Sequence, residues 1–214
     1  MKITYKEVVG DLERISNRKT KDIDKYNKDL IRRKIDVGEL RKYVRENDLV
    51  NRTYFQVSLG GLNDYREQLK FIEDNYLLLN DWWHVDQLTQ FIKGPMEFQY
   101  VYELAKKYIK SDHVFLRRWG YVIFISGLQK DKRYTKKILE LIKDDEEYYV
   151  RMAEAWLICD LAVFNLEEVM CWLKSSKIKY DILGRAIQKM CDSFRISEEA
   201  KSDVKLLREQ LRLN

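Results

Sequence analysis

The chain has 214 residues, of which 45% are hydrophobic and 35% charged, with a net charge of +5. That apolar content is enough to close one core, so residues 1–214 are expected to form a single domain, and the charge excess favours an anionic partner while falling short of a dedicated nucleic-acid tail. The opening stretch MKITYKEVVGDLERISNRKTKD has no apolar core of signal-peptide length and no apolar run reaches about 18 residues, which excludes a membrane span and predicts a cytoplasmic protein.

One proline, Pro95, and eight glycines leave little of the turn chemistry that many short strands need. The fold is therefore expected to be all-α. Residues 1–45 hold fourteen Lys/Arg against eight Asp/Glu, which concentrates the positive excess there. From Tyr65 the apolar residues Tyr65, Leu69, Ile72, Tyr76 and Leu79 recur at spacings of 4, 3, 4 and 3, which predicts one helix face. Asp81 then precedes the run WWHVDQLTQFI as a predicted N-cap, so Trp82 and Asp86, four residues apart, share a helix face.

Gly94 and Pro95 end that segment, and Phe98, Val101, Tyr102, Ala105, Tyr108 and Ile109 mark the next helix. Ser111, Asp112 and His113 break the chain again. Helical segments follow at FLRRWGYVIFISGL from Phe115, around Ile138, Leu141 and Ile142, and at YYVRMAEAWLICDLAVF from Tyr148. Three more are marked by Val169, Trp172 and Leu173, by Ile182, Ala186, Ile187 and Met190, and by Val204, Leu207 and Leu211. About ten helices of about 10 to 18 residues result. Successive antiparallel pairs of this kind can stack into a curved solenoid, an α-α superhelix, although the sequence has no strict period.

Cys159, Cys171 and Cys191 are an odd number with no CxxC pair, and they read as buried reduced thiols. No His/Cys cluster, glycine-rich phosphate loop or Ser/His/Asp order is present, and His84 and His113 lie far apart in sequence. Metal hydrolysis and nucleotide-driven chemistry are not expected, and neither a metal nor a cofactor is called for.

Three elements stand out. The pentapeptide WWHVD (82–86) sets two large aromatics and a carboxylate at a helix start. Taken alone it also fits core aromatics with an acid that complements the helix dipole. Arg117 and Arg118 lie in an otherwise apolar helix, a costly place for guanidinium groups unless they meet carboxylates or phosphates. Trp156 falls off the stripe of Val150, Ala153, Leu157 and Leu161 by roughly 100°, so its indole can face a concave surface instead of the core.

Together these segments resemble the AlkD-like family of DNA alkylation repair proteins, helical proteins built of HEAT-like pairs, whose segments read W-D-x-V-D, L-x-R-x-A-I and I-x-K-A-I-G-W. The counterparts here are WWHVD (82–86), LRRWGY (116–121) and VRMAEAW (150–156), and IDVGELRKYVRE (35–46) is similar to the family's G-V-P-x-P-x-L-R-K-I-A-K without its prolines. Trp83 stands where the family often has aspartate, and LICD follows Trp156 where L-R-E-Y is common.

The resemblance implies a curved solenoid of antiparallel HEAT-like helix pairs that cradles duplex DNA as a monomer. It implies a glycosylase that hydrolyses the N-glycosidic bond of cationic purines such as 3-methyladenine and 7-methylguanine without enclosing the base in a deep pocket. Position by position, Trp82 and Trp156 become the aromatic walls of the site, Asp86 the catalytic carboxylate and Arg118 the arginine that meets the DNA backbone. Arg117 and Arg151 become further backbone contacts. A second class of reading stays open: a noncatalytic HEAT-like scaffold that binds DNA or protein.

Overall fold

The computed structural model describes residues 1–15 and 19–212. Among them are twelve α-helices, six short 3-10 segments and no β-strand, the one extended pairing being an isolated bridge between Lys2 and Asp36. The fold is all-α. The chain divides into two compact units, Met1–Pro95 and Met96–Asn214.

In the first unit, α1 (Tyr5–Arg14) starts at a capping box in which the Thr4 hydroxyl accepts from the Glu7 amide and the Glu7 carboxylate accepts from the Thr4 amide. Helix α2 (Thr20–Arg32) buries Ile23, Asn27 and Leu30, one face at four- and three-residue spacing. Helix α3 (Asp48–Gly60) is capped by the Asn47 side chain and is buried almost all round, from Val50 to Val57. It carries polar residues into that interior. The Asn27 amide donates to Gln56 Oε1 at 2.6 Å, and Arg52 is only 6% exposed.

Helix α4 (Tyr65–Asn75) begins at Asp64, whose carboxylate accepts the amides of Arg66 and Glu67. The face from Tyr65 to Leu79 is shared between two elements: α4 stops at Asn75 and a 3-10 turn, Tyr76–Leu78, follows. Leu69, Ile72 and Leu79 are all fully buried. Apolar spacing alone does not reveal that change of winding, because a tighter turn at the end of a helix still delivers its next apolar residue inward. Helix α5 (Trp82–Asp86) has five residues, and the run continues as a 3-10 turn, Gln87–Gln90.

The second unit is built around one helix. Helices α6 (Phe98–Tyr108) and α7 (Val114–Val122) pack closely at Gly120, where an added Cβ would lie 2.6 Å from Ile109 Cγ2 and 3.3 Å from the Ala105 carbonyl oxygen. His113 is the N-cap of α7, its Nδ1 accepting the Leu116 amide. After three 3-10 turns comes the short α8 (Thr135–Leu139). Helix α9 (Tyr148–Phe164) spans the segment expected from Tyr148, and it packs against α7, α10 (Leu166–Ser175) and α11 (Tyr180–Asp192). Helix α12 (Glu198–Arg212) closes the order against α11.

The thiols are all free, as expected, but burial holds for Cys159 alone. Cys171 is exposed and Cys191 intermediate: Cys171 falls two positions from each of the buried residues Val169 and Leu173 of α10, and Cys191 lies in the last turn of α11. Among the described residues no helix is long and apolar enough to cross a membrane, and no group of three or more His, Cys, Asp or Glu side chains could hold a metal ion.

Candidate active site

The first unit carries Trp82 and Asp86, and the second carries Arg117, Arg118, Arg151 and Trp156. Asp81 caps α5 by accepting the Trp82 amide at 2.6 Å, as the sequence predicts. Trp82 is 45% exposed at the head of the helix, and Asp86, half-buried, closes it one turn later. Asp81 already supplies the acidic complement at the positive end of the helix. Asp86, at the opposite end, is the residue from which the next 3-10 turn starts, and its side chain makes no cap hydrogen bond to that turn.

A five-residue helix cannot hold itself together in water, and three anchors fix this one. Val85 and Leu88 are fully buried beneath it. His84 is buried, its ring 4.2 Å from that of Trp83. Its Nδ1 accepts the Asn80 amide at 3.4 Å, which puts the neutral ring's proton on Nε2, 3.5 Å from Asp48 Oδ1. Burial holds the imidazole below its ordinary value, against the pull of the Asp48 and Asp81 carboxylates.

The third anchor is Arg52. Its Nε donates to Asp24 Oδ1 at 2.9 Å, its Nη1 to Gln87 Oε1 at 3.1 Å and its Nη2 to Gln90 Oε1 at 3.3 Å, while the guanidinium lies 5.2 Å from the centre of the Phe91 ring. Gln87, the residue after Asp86, in turn donates to Asn51 Oδ1 at 2.9 Å. Asp86 is therefore followed by a side chain pinned from two directions. None of these supporting residues is legible in the motif, because their partners lie about 28 to 38 positions away in the chain.

In the second unit α9 is apolar nearly all round, as a helix enclosed by its neighbours must be. The positions not enclosed are few. Tyr149, Met152, Trp156 and Val163 recur at spacings of 3, 4 and 7 and fall on one stripe. Trp156 thus stands off the buried stripe of Val150, Ala153, Leu157 and Leu161, each fully buried. Two residues before it, Glu154 is fully buried. Its carboxylate accepts the amides of Lys143 and Asp145, which fix the loop entering α9. Burial pushes the Glu154 carboxyl up, and those hydrogen bonds offset part of the rise.

The two arginines of α7 part company. Arg117 makes a two-pronged pair with Asp145, at 2.8 and 3.2 Å, and donates to the Ser111 carbonyl at 2.9 Å, so its fork is engaged within the protein. Arg118 is 4% exposed and donates from Nη1 to the Tyr149 carbonyl, which ties α7 to the start of the helix that bears Trp156. Arg151 pairs with Asp181 at 3.2 Å, and the same carboxylate takes Arg185, also at 3.2 Å. Asp181 and Arg185 are an i,i+4 pair on α11, whereas Arg151 reaches the same carboxylate from α9, 30 residues away.

Among curated proteins and among solved structures no match to the chain was found. A sequence-family model described as DNA alkylation repair enzyme matches residues 39–190, a span that takes in Trp82, Asp86, Arg118 and Trp156 and covers well over half of the chain. The chain belongs to the family of DNA alkylation repair enzymes.

Proposed function

We propose that this family member is a DNA glycosylase that releases cationic alkylated purines, of the 3-methyladenine and 7-methylguanine type, from duplex DNA. The observation that carries the reading is the pair on α5: an exposed indole and, one turn on, a half-buried carboxylate.

A purine alkylated at N3 or N7 is already positively charged. When its glycosidic bond breaks, both bonding electrons go to the base, which leaves neutral, and the deoxyribose C1′ becomes cationic. A fixed carboxylate stabilises charge at the point where it develops. Water then adds at C1′ and gives up a proton, for which the Asp86 carboxylate is a suitable acceptor, the division of work seen in glycoside hydrolysis. An indole face attracts a cation by about 0.5 to 2 kcal/mol, the part assigned to Trp82 and, on the family resemblance alone, to Trp156. Arg118, assigned by resemblance to the DNA backbone at the lesion, brings a guanidinium whose Nη1 is already fixed on the Tyr149 carbonyl. Neither step calls for a cofactor.

The test is release of free 7-methylguanine and 3-methyladenine from methylated duplex DNA by the wild type and by Asp86→Asn, which keeps the shape and removes the charge. A drop of about a hundredfold or more, the lower end of what a positioned catalytic group contributes, is expected. Wild-type protein that is folded and binds DNA yet releases no base would instead establish a noncatalytic HEAT-like binder.

A further inference from the structure

Four aromatic side chains of the described residues are prominently exposed, and two of them are neighbours at the start of α9: Tyr148 at 51% and Tyr149 at 40%. Their rings lie 5.4 Å apart at 74°, and Phe115 of α7 extends the group, 5.9 Å from Tyr149. The guanidinium of Arg185 lies 5.7 Å from the centre of the Tyr148 ring. Arg185 and Arg151 converge on one carboxylate, Asp181, itself about half exposed. Arg151 Nε is buried and has no hydrogen-bond partner, so the carboxylate leaves this pair of forks incompletely satisfied.

Two arginine forks that converge beside an open aromatic face suit a nucleotide: the forks take the oxygens of a phosphate and the ring takes a base. Asp181 offers two oxygens where a phosphodiester would offer two of its own. The geometry points to a binding site for an unpaired nucleotide of DNA at the head of α9, in which Asp181 holds the place of a backbone phosphate and Tyr148 is the stacking platform. It rests on DNA being the ligand of this protein, and it adds a contact that the base-excision residues do not supply. Paired bases have no free face to offer Tyr148, so a single-stranded segment is the ligand class.

In the free protein Asp181 offsets one of the two arginine charges, and a phosphate must displace it or share its partners. Removing its charge should therefore strengthen binding, which a merely structural ion pair would not do. The experiment measures fluorescence anisotropy of a labelled single-stranded thymidine oligomer over a salt series. It compares wild type with Asp181→Asn, Tyr148→Ala and, as a control for charge alone, Glu146→Gln, which removes the same charge two residues from Tyr148 on an exposed side chain. Thermal melts establish that each variant is folded.

Asp181→Asn should bind several-fold more tightly, with a salt slope steeper by about 0.7, the counterion release of one further phosphate on a single strand. Tyr148→Ala should bind about tenfold more weakly, the loss of one stacked base. Glu146→Gln should stay close to wild type. Equal binding by wild type, Asp181→Asn and Tyr148→Ala, or an equal gain for Asp181→Asn and Glu146→Gln, overturns the site. The thymidine oligomer contains no alkylated base, so this outcome is independent of base release. Failure to release bases, with the expected binding changes present, would count against the glycosylase and not against the nucleotide site.

Discussion

Trp82 and Trp156 stand on supports of opposite kinds. Trp82 heads a five-residue helix that is held by directional contacts: a capping carboxylate, a buried histidine, and a glutamine gripped by Arg52 and Asn51. Trp156 stands on a seventeen-residue helix enclosed by α7, α10 and α11, where burial of apolar area does the holding. Area-based support is graded, since each lost methylene removes a little. Polar support in a low-dielectric interior is closer to all-or-none, because every partner of a deleted group is left unsatisfied.

The largest effect that tests this contrast comes from Arg52→Ala. It strands Asp24, Gln87 and Gln90 together, and loss of one member of a buried charge pair costs about 3 to 5 kcal/mol. A matching shift of the urea midpoint at unchanged slope is expected, together with loss of base release, since the turn after Asp86 loses its anchor. Adding Asp24→Leu to Arg52→Met should recover much of the stability, because deleting both members removes the stranded charge. Stability that stays low in the double variant would mean that Arg52 acts through its contacts with Gln87, Gln90 and Phe91 instead of through the ion pair.

Leu157→Ala, on the fully buried stripe of α9, should cost about 3 kcal/mol, and Leu157→Met below about 1.5 kcal/mol. The gap between those two values is what graded support means. A Leu157→Met variant as damaged as Leu157→Ala would show that α9 is fitted as tightly as α5 and would remove the contrast.

The same contrast governs what the sequence discloses. Helix α9 is legible from end to end because an enclosed helix must be apolar over its whole length, and the displacement of Trp156 from the buried stripe follows from its residue number. The α4 to α5 region is legible only in outline. Its apolar spacing crosses from α-helix to 3-10 turn without a break, and its anchors are the polar residues Asn51, Arg52 and Gln87, which composition assigns to the surface. The burial cost of Arg117 was correctly flagged by its apolar neighbours, but the partner that meets it, Asp145, lies 28 residues on and is one acid among many. Pairings of that kind are decided by the packing of α7 beside the loop into α9 and have no local signature.

The smallest predicted effect isolates the histidine of the polar support. His84 is held neutral by burial, so its imidazole takes up a proton less readily in the folded chain than in the unfolded one. At pH values below the ordinary imidazole value of about 6.5 the unfolded chain binds more protons, and stability therefore falls as the pH is lowered through this range. The fall ends once the pH has passed the lowered folded-state value, because both states are then protonated. In His84→Asn the side-chain oxygen can still accept the Asn80 amide but cannot titrate. Wild type should lose more melting temperature than this variant between neutral and mildly acidic pH, and parallel curves would show that Asp48 and Asp81, both drawing the proton toward the ring, cancel the cost of burial.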